Sequence, residues 1–175
     1  NTTMPDGQEI YLNCKNVDLS DENLSGADLS NADLRKADLS RADLSVANLS
    51  GANLTESKLT NATLKKAEFR NTNLTAVKLN GTDLSNTNLE NANLKDAILI
   101  GANLENTNLS GANLENINLK NANLTDANLK NTDLRLANLA GTNLNDAYLS
   151  KTRLDPKSKP FQWLKWKVLD YFDTK

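Results

Sequence analysis

The stretch GADLSNADLRKADLSRADLS, residues 26–45, repeats nearly the same five residues four times. The spacing continues in one phase from residue 12 to residue 156 and makes 29 consecutive pentapeptides, 27 of them with leucine at the centre and the others with Cys14 and Phe69. Five residues of an α-helix advance by about 140° net, and a flat strand would place successive leucines on opposite faces. Neither element buries this series on one side. The chain therefore has to turn once per pentapeptide, which predicts a solenoid.

The other positions of the repeat agree with this reading. Two residues before the centre, 16 units have Ala and seven have Thr, which indicates a tightly packed inward position. Two residues after it, 20 of the 29 units have Gly, Asn or Asp, which tolerate positive φ and favour a corner. The residue just before the centre is Asp or Asn in 22 units. We expect stacked amides there to hydrogen-bond between coils, whereas the carboxylates of Asp18 and Asp38 would repel each other. Glu22 falls on an inward position of the first unit series, and we expect it to reach solvent or a backbone partner.

Units such as ADLSN, ADLRK, ANLSG and TNLEN make residues 12–156 resemble the pentapeptide-repeat proteins, which are abundant in cyanobacteria. The resemblance implies an all-β solenoid, a right-handed quadrilateral β-helix in which four units form a square coil of 20 residues. The array would then have about seven coils and a length of roughly 35 Å at a strand spacing of about 4.8 Å. We expect residues 1–11 to form an N-terminal cap, 12–156 the β-helix, and 157–175 a short C-terminal capping α-helix.

Residues 20 apart would stack on the same side of such a coil, so the sequence maps the surface. The units that begin at residues 17, 37, 57 and so on form one side, and its unusual outward residues form a candidate partner surface: Lys58, Lys78, Ile98, Ile100 and Lys120. The next side, which begins at residue 22, is a candidate acidic face: Asp43, Asp83, Glu105, Asp126 and Asp146.

The C-terminal residues 157–175 differ from the array in composition, since five of the eight aromatic residues lie there. Helical spacing places Phe161, Leu164, Val168 and Phe172 on one stripe, which predicts a helix over about 161–172 lying across the open last coil. Trp163 and Trp166 fall on another arc. They would either reach the rim of the last coil or form a tail-to-tail homodimer, as the resemblance implies for some relatives.

The residue types argue against an enzyme. The chain has no histidine, its one cysteine occupies an inward position, and neither a phosphate-binding glycine loop nor metal-ligand spacing occurs. We therefore predict no catalytic, cofactor-binding or metal-binding residues. The expected function is that of a structural or protein-interaction scaffold with an unidentified protein partner.

Two alternatives stay open at this point. Some proteins that this chain resembles are acidic DNA mimics that regulate a type II topoisomerase, and the Trp and Lys residues of the tail would suit a membrane surface. A net charge of −2 argues against direct nucleic-acid binding, and no apolar run is long enough for a transmembrane segment. The compartment stays open as well: cytoplasmic, or periplasm or thylakoid lumen if a leader was removed before Asn1.

Overall fold

The structure, a computed structural model, describes residues 2–3, 9–10 and 12–155. Over residues 12–155 the backbone winds into a β-helix in which each bridging residue pairs in parallel with the residue 20 positions later, from Asn13 with Asp33 to Asn128 with Tyr148. A turn follows every bridge, so each coil of 20 residues has four sides. The predicted four-sided coil is thus confirmed, and residues 12–151 make seven complete coils.

The sides are so short that most of the ladder consists of single-residue bridges. Four strands of two residues each are present: β1 (Thr2–Thr3), β2 (Glu9–Ile10), β3 (Asp133–Leu134) and β4 (Arg153–Leu154). Strands β1 and β2 pair antiparallel, and β3 pairs parallel with β4 in the next coil. The part of the chain that the structure describes contains no helix.

Both predicted caps fall wholly or largely outside the described residues. The C-terminal helix over 161–172, with the cap and dimer residues assigned to it, lies outside them, so the cap and the homodimer stay predictions. Of residues 1–11, only the pairing of β1 with β2 is described. At this end of the rod the inward side chains of the first coil are open, with Leu12 50% and Val17 38% exposed. Glu22 is exposed too, which confirms that its carboxylate reaches solvent.

Residues 107–111 show how a pentapeptide with Asn before its centre satisfies its five backbone N–H groups. The first N–H closes the preceding turn on the carbonyl of Leu104 (3.1 Å), the second bonds to the coil before (3.0 Å), and the third bonds to the coil after (2.8 Å). The fourth, of Ser110, donates to Asn108 Oδ1 of the same unit (3.2 Å), and the fifth, of Gly111, bonds to the coil after (2.9 Å). The Asp or Asn before the centre therefore supplies an acceptor that the backbone lacks.

The corners have the conformation that the sequence predicts. All corner residues from Asn16 to Lys151, 22 non-glycine residues and six glycines, have positive φ between 55° and 71°. Together with the N–H···O=C bond across each turn, this is the geometry of a type II β-turn. It holds even for Val46 and Leu136, whose side chains disfavour positive φ, because the five-residue phase leaves no other place to turn.

The core is the stack of leucines and small residues inside the coils. Leucines in the middle of the rod are fully buried, and Phe69 takes the place of one of them at 1% exposure. The hydroxyls of Thr87 and Thr107 both donate to the carbonyl of Leu84, at 2.6 and 2.8 Å. No buried side-chain nitrogen or oxygen within the described residues is left without a partner.

Ser85 is an exception among the described residues that directly follow a centre. The others are half-buried or exposed, and yet Ser85 is only 6% exposed. In the column of stacked residues it lies between Lys65 and Glu105 of the adjacent coils.

Candidate functional site

The structure assembles the candidate partner surface on one side of the rod. Lys58, Lys78 and Ile98 bridge to one another in three successive coils. Ile100 lies two residues beyond Ile98 on the same side, and Lys120 stacks over Ile100 in the following coil. We call the five residues the lysine–isoleucine surface. Four consecutive coils contribute to it.

This surface departs from the repeat at the position that caps the backbone. Lys58, Lys78 and Ile98 stand where most units have Asp or Asn, and none of them has a carboxylate or amide oxygen to offer the N–H two residues later. At Ile100 that N–H instead donates to Oδ1 of Asn80 in the preceding coil, at 3.1 Å. The N–H of Ile100 therefore has its acceptor in the preceding coil and not in its own unit.

The charges of the surface are only partly neutralised. Lys58 Nζ lies 3.0 Å from Asp38 Oδ2. Hydrogen bonds from Ser40, followed by the one from Lys58, lower the pKa of Asp38 to about 2, so Asp38 is ionised and balances Lys58. This contact also offsets the repulsion expected between Asp18 and Asp38. Lys78 and Lys120 form no ion pair with any residue in the described part of the chain, and the surface keeps a positive charge on either side of the isoleucines.

Two glycines form the corner beside the isoleucines. Gly81 and Gly101 stack in successive coils. A Cβ at Gly81 would lie 2.8 Å from Oδ1 of Asn61 in the preceding coil, and Gly51, Gly111 and Gly141 each follow an asparagine in the same way, at 2.2–2.4 Å. At Gly101 such a Cβ would meet nothing within 4 Å. The lysine–isoleucine surface therefore ends in an open edge where another backbone can approach closely.

Ile100 is 39% exposed and Ile98 is half-buried, so the surface has an accessible apolar centre. Val46, Leu136 and Tyr148 are more exposed, but each lies on a different column of the rod, and none has a second exposed large apolar residue beside it among the described residues. Single exposed apolar residues of that kind are ordinary. The pair of isoleucines between lysines is the less ordinary feature.

The candidate acidic face is also assembled on one side, but part of it serves the fold. Asp43 accepts the N–H of Ser45 at 2.9 Å, and these hydrogen bonds from Ser45 lower the pKa of Asp43. Asp83 accepts the N–H of Ser85 at 3.0 Å and Nδ2 of Asn103 at 3.3 Å. The side chains of the other three residues, Glu105, Asp126 and Asp146, bond to no described residue.

Asn103 belongs to a feature that the sequence predicted in outline, the amide ladders. Asn123 donates to Asn103, and Asn143 donates to Asn123, each at 3.1 Å. A similar ladder runs up another side through Asn88, Asn108 and Asn128. In both ladders each amide donates to the coil on its N-terminal side. The first acceptor of each ladder is an acid, Asp83 in one and Glu68 in the other. The sequence reasoning missed the second task of these residues, the capping of the local N–H. The signal available was the preference for Asp or Asn over other polar residues.

Cys14 is the cysteine of the chain, and it lies in the described part. Burial, and then the charge of Asp33, raise the pKa of the Cys14 thiol, so the group is protonated at neutral pH and is a poor nucleophile. The described residues contain no group of three His, Cys, Asp or Glu residues arranged to hold a metal ion. Nor do they include a helix with the length and hydrophobicity needed to cross a bilayer.

Comparison with known proteins finds a matching family and similar solved structures. The profile of the pentapeptide repeats family matches the chain in eight copies, over residues 13–51, 47–86, 78–116, 87–126 and 117–155. Similar solved structures include Rfr23, a pentapeptide repeat protein of the cyanobacterium Cyanothece 51142, at 40% identity and a TM-score of 0.43 over 61% of this chain and 63% of that one. This chain thus spans less than two thirds of the length of Rfr23.

Two further solved structures align over more of the chain. HetL, a pentapeptide repeat protein involved in heterocyst differentiation regulation in Nostoc sp. strain PCC 7120, is 26% identical with a TM-score of 0.31, over 85% of this chain and 91% of that one. QnrB1, a plasmid-mediated fluoroquinolone resistance protein, is 20% identical with a TM-score of 0.40, over 91% of this chain and 96% of that one. No curated protein matches the chain.

Proposed function

The chain belongs to the pentapeptide repeat family, whose right-handed β-helix solenoid is the architecture of residues 12–155, and on that premise we propose that it is a non-catalytic scaffold that binds a protein partner through the lysine–isoleucine surface. The proposal rests on one observation. In three successive coils this surface gives up the capping residue of the repeat, and it has Ile100 exposed between two lysines that have no acidic partner among the described residues.

The fold itself gives no reason for these side chains. A unit with Asn and Ser at the two outward positions, such as ANLSG at residues 47–51, forms the same corner and caps its own N–H through Asn48, at 3.1 Å. The unit AILIG at residues 97–101 has the same inward residues, Ala97 and Leu99, and differs only in what it presents to solvent. The change therefore alters the surface and leaves the core as it was.

The experiment that tests the proposal returns this unit to the repeat. Ile98→Asn/Ile100→Ser turns AILIG into ANLSG and should be at least as stable as the wild type, because Asn restores the local acceptor. Proteins retained on immobilised wild-type protein from an extract of cells that produce it should be lost from the double variant. Leu136→Asn, which removes an exposed leucine on another side, is the matched control and should retain them. An identical set of retained proteins on all three would refute the proposal.

The acidic face gives weaker support to the alternative function, a DNA mimic that regulates a type II topoisomerase. Duplex DNA as long as this rod carries about 20 phosphate charges. Two of the five acidic-face residues cap turns, and the three others are spread over two positions of the repeat. We therefore expect no inhibition when the protein is added to a DNA gyrase supercoiling assay. The membrane-surface alternative concerns the C-terminal residues outside the described part.

A further inference from the structure

We infer that the lysine–isoleucine surface accepts an extended acidic segment of the partner, with carboxylates at positions j and j+4 and an apolar side chain at j+2. This inference deepens the proposed function and rests on it. Lys78 and Lys120 are the two lysines of the surface without an acidic partner among the described residues, and Ile98 and Ile100 lie between them. Charge complementarity therefore favours a partner segment in which two acids flank an apolar residue.

The spacing of the acids follows from the register of the coils. Lys78 and Lys120 are two coils and two residues apart along the chain. With about 4.8 Å between coils and about 3.3 Å per residue along a side, their Cα atoms are separated by roughly 12 Å on a diagonal that passes over the isoleucines. An extended peptide covers that distance in about four residues, and alternate residues of such a peptide point to the same face. Positions j, j+2 and j+4 therefore meet Lys78, the isoleucines and Lys120 together.

The open corner explains why an extended backbone fits. Gly101, next to Ile100, has no side chain, and a Cβ there would have no neighbour within 4 Å. A peptide crossing the surface on the diagonal can thus lie low at this edge while its central side chain contacts the isoleucines.

Selection from a phage-displayed library of random peptides about twelve residues long tests the inference. Wild-type protein is the bait, and Ile98→Asn/Ile100→Ser is the counter-selection. The peptides that we expect to be enriched contain five consecutive positions in the order acid, any residue, apolar residue, any residue, acid. Synthetic copies of them should bind the double isoleucine variant at least about tenfold more weakly. Lys78→Asn/Lys120→Ser, which keeps the isoleucines, should weaken binding about fivefold at about 0.05 M salt and much less at about 0.5 M salt, since exposed charges are screened.

The possible outcomes separate the two claims. Three outcomes would each overturn the acidic-segment inference. The selected peptides could lack acids, they could bind the lysine variant as tightly as the wild type, or no peptide could be enriched over the counter-selected background. If the extract experiment at the same time shows partners that depend on Ile98 and Ile100, the scaffold proposal stands while this inference fails. If neither experiment shows dependence on the isoleucines, both fail.

Discussion

Asn108 offers the sharpest test of how the repeat holds itself together, because one side chain makes four hydrogen bonds. Its Oδ1 accepts the N–H of Ser110 (3.2 Å), the hydroxyl of Ser110 (2.8 Å) and Nδ2 of Asn128 (3.0 Å), and its Nδ2 donates to Asn88 (3.2 Å). A hydrogen bond contributes about 0.5–1.5 kcal/mol net, and half-buried ones fall toward the lower end. Asn108→Ala should therefore destabilise the protein by about 2–3 kcal/mol. For a chain of this size, that lowers the Tm by roughly 5–10 °C.

Thermal unfolding followed by far-UV circular dichroism measures the effect, and two further variants separate its parts. Asn108→Asp keeps the acceptor for Ser110 and for Asn128 but loses the donor to Asn88, and it should cost about 1 kcal/mol. Ser110→Ala loses a single hydrogen bond and should cost less than that. The expected order of Tm is wild type, Ser110→Ala, Asn108→Asp, Asn108→Ala, with the middle two close together. If Asn108→Ala has the same Tm as Ser110→Ala, the side-chain capping and the ladder do not stabilise the coil, and the reasoning is refuted.

Three other predictions concern the corners, the carboxylates and the tail. Val46 has φ 61° and is 60% exposed, so Val46→Asn should raise the free energy of unfolding by about 1 kcal/mol by relieving left-handed strain, and an unchanged or lower Tm would contradict this. Hydrogen bonds hold the pKa of Asp33 and of Asp38 at about 2, below the value of about 3.9 in an unfolded chain. The unfolded state therefore takes up protons first as the pH falls, and stability present above about pH 4 is lost toward pH 2, whereas a Tm that stays level down to pH 2 would disprove the assignment. Truncation after Pro156 should cause concentration-dependent association with the β-type spectrum retained, and a truncated rod as soluble and heat-stable as the full chain would rule out the predicted cap.

The phase of the repeat was enough to predict where the chain turns, and the corner at Val46 shows why. Nothing about valine favours positive φ, and a reading of residue types alone would have placed it in a strand. Its position two residues after Leu44 assigns it to a corner, because every unit has to turn at the same place for the leucines to share one interior. The inward series and the coil of 20 residues follow from the same constraint once four sides per coil are accepted from the family resemblance.

The side-chain network could not be predicted in the same way, because it depends on distances between coils. The period does not reveal that the side chain of Asn80 accepts the N–H of Ile100, since this hydrogen bond joins two coils at a unit where Ile98 offers no acceptor. Nor does it reveal that Ser85 is only 6% exposed, whereas Lys65 and Glu105 of the same column are exposed. The side on which Lys78 and Ile98 meet could be predicted, but the bare corner at Gly101 beside them needed the coordinates of the adjacent coil.

These two levels of prediction bear on where function can be found in such a chain. A unit with Asn before its centre and a small polar residue after it satisfies its own backbone, so its outward side chains are nearly interchangeable as far as the coil is concerned. A unit such as AILIG gives up that local bond and exposes apolar surface, and its main-chain donor is rescued only by Asn80. The fold alone would favour the consensus unit at this place. The departure therefore makes sense if the exposed side chains of Ile98 and Ile100 are used in contact with another molecule, and that is why the lysine–isoleucine surface, rather than the more highly charged acidic face, carries the proposed function.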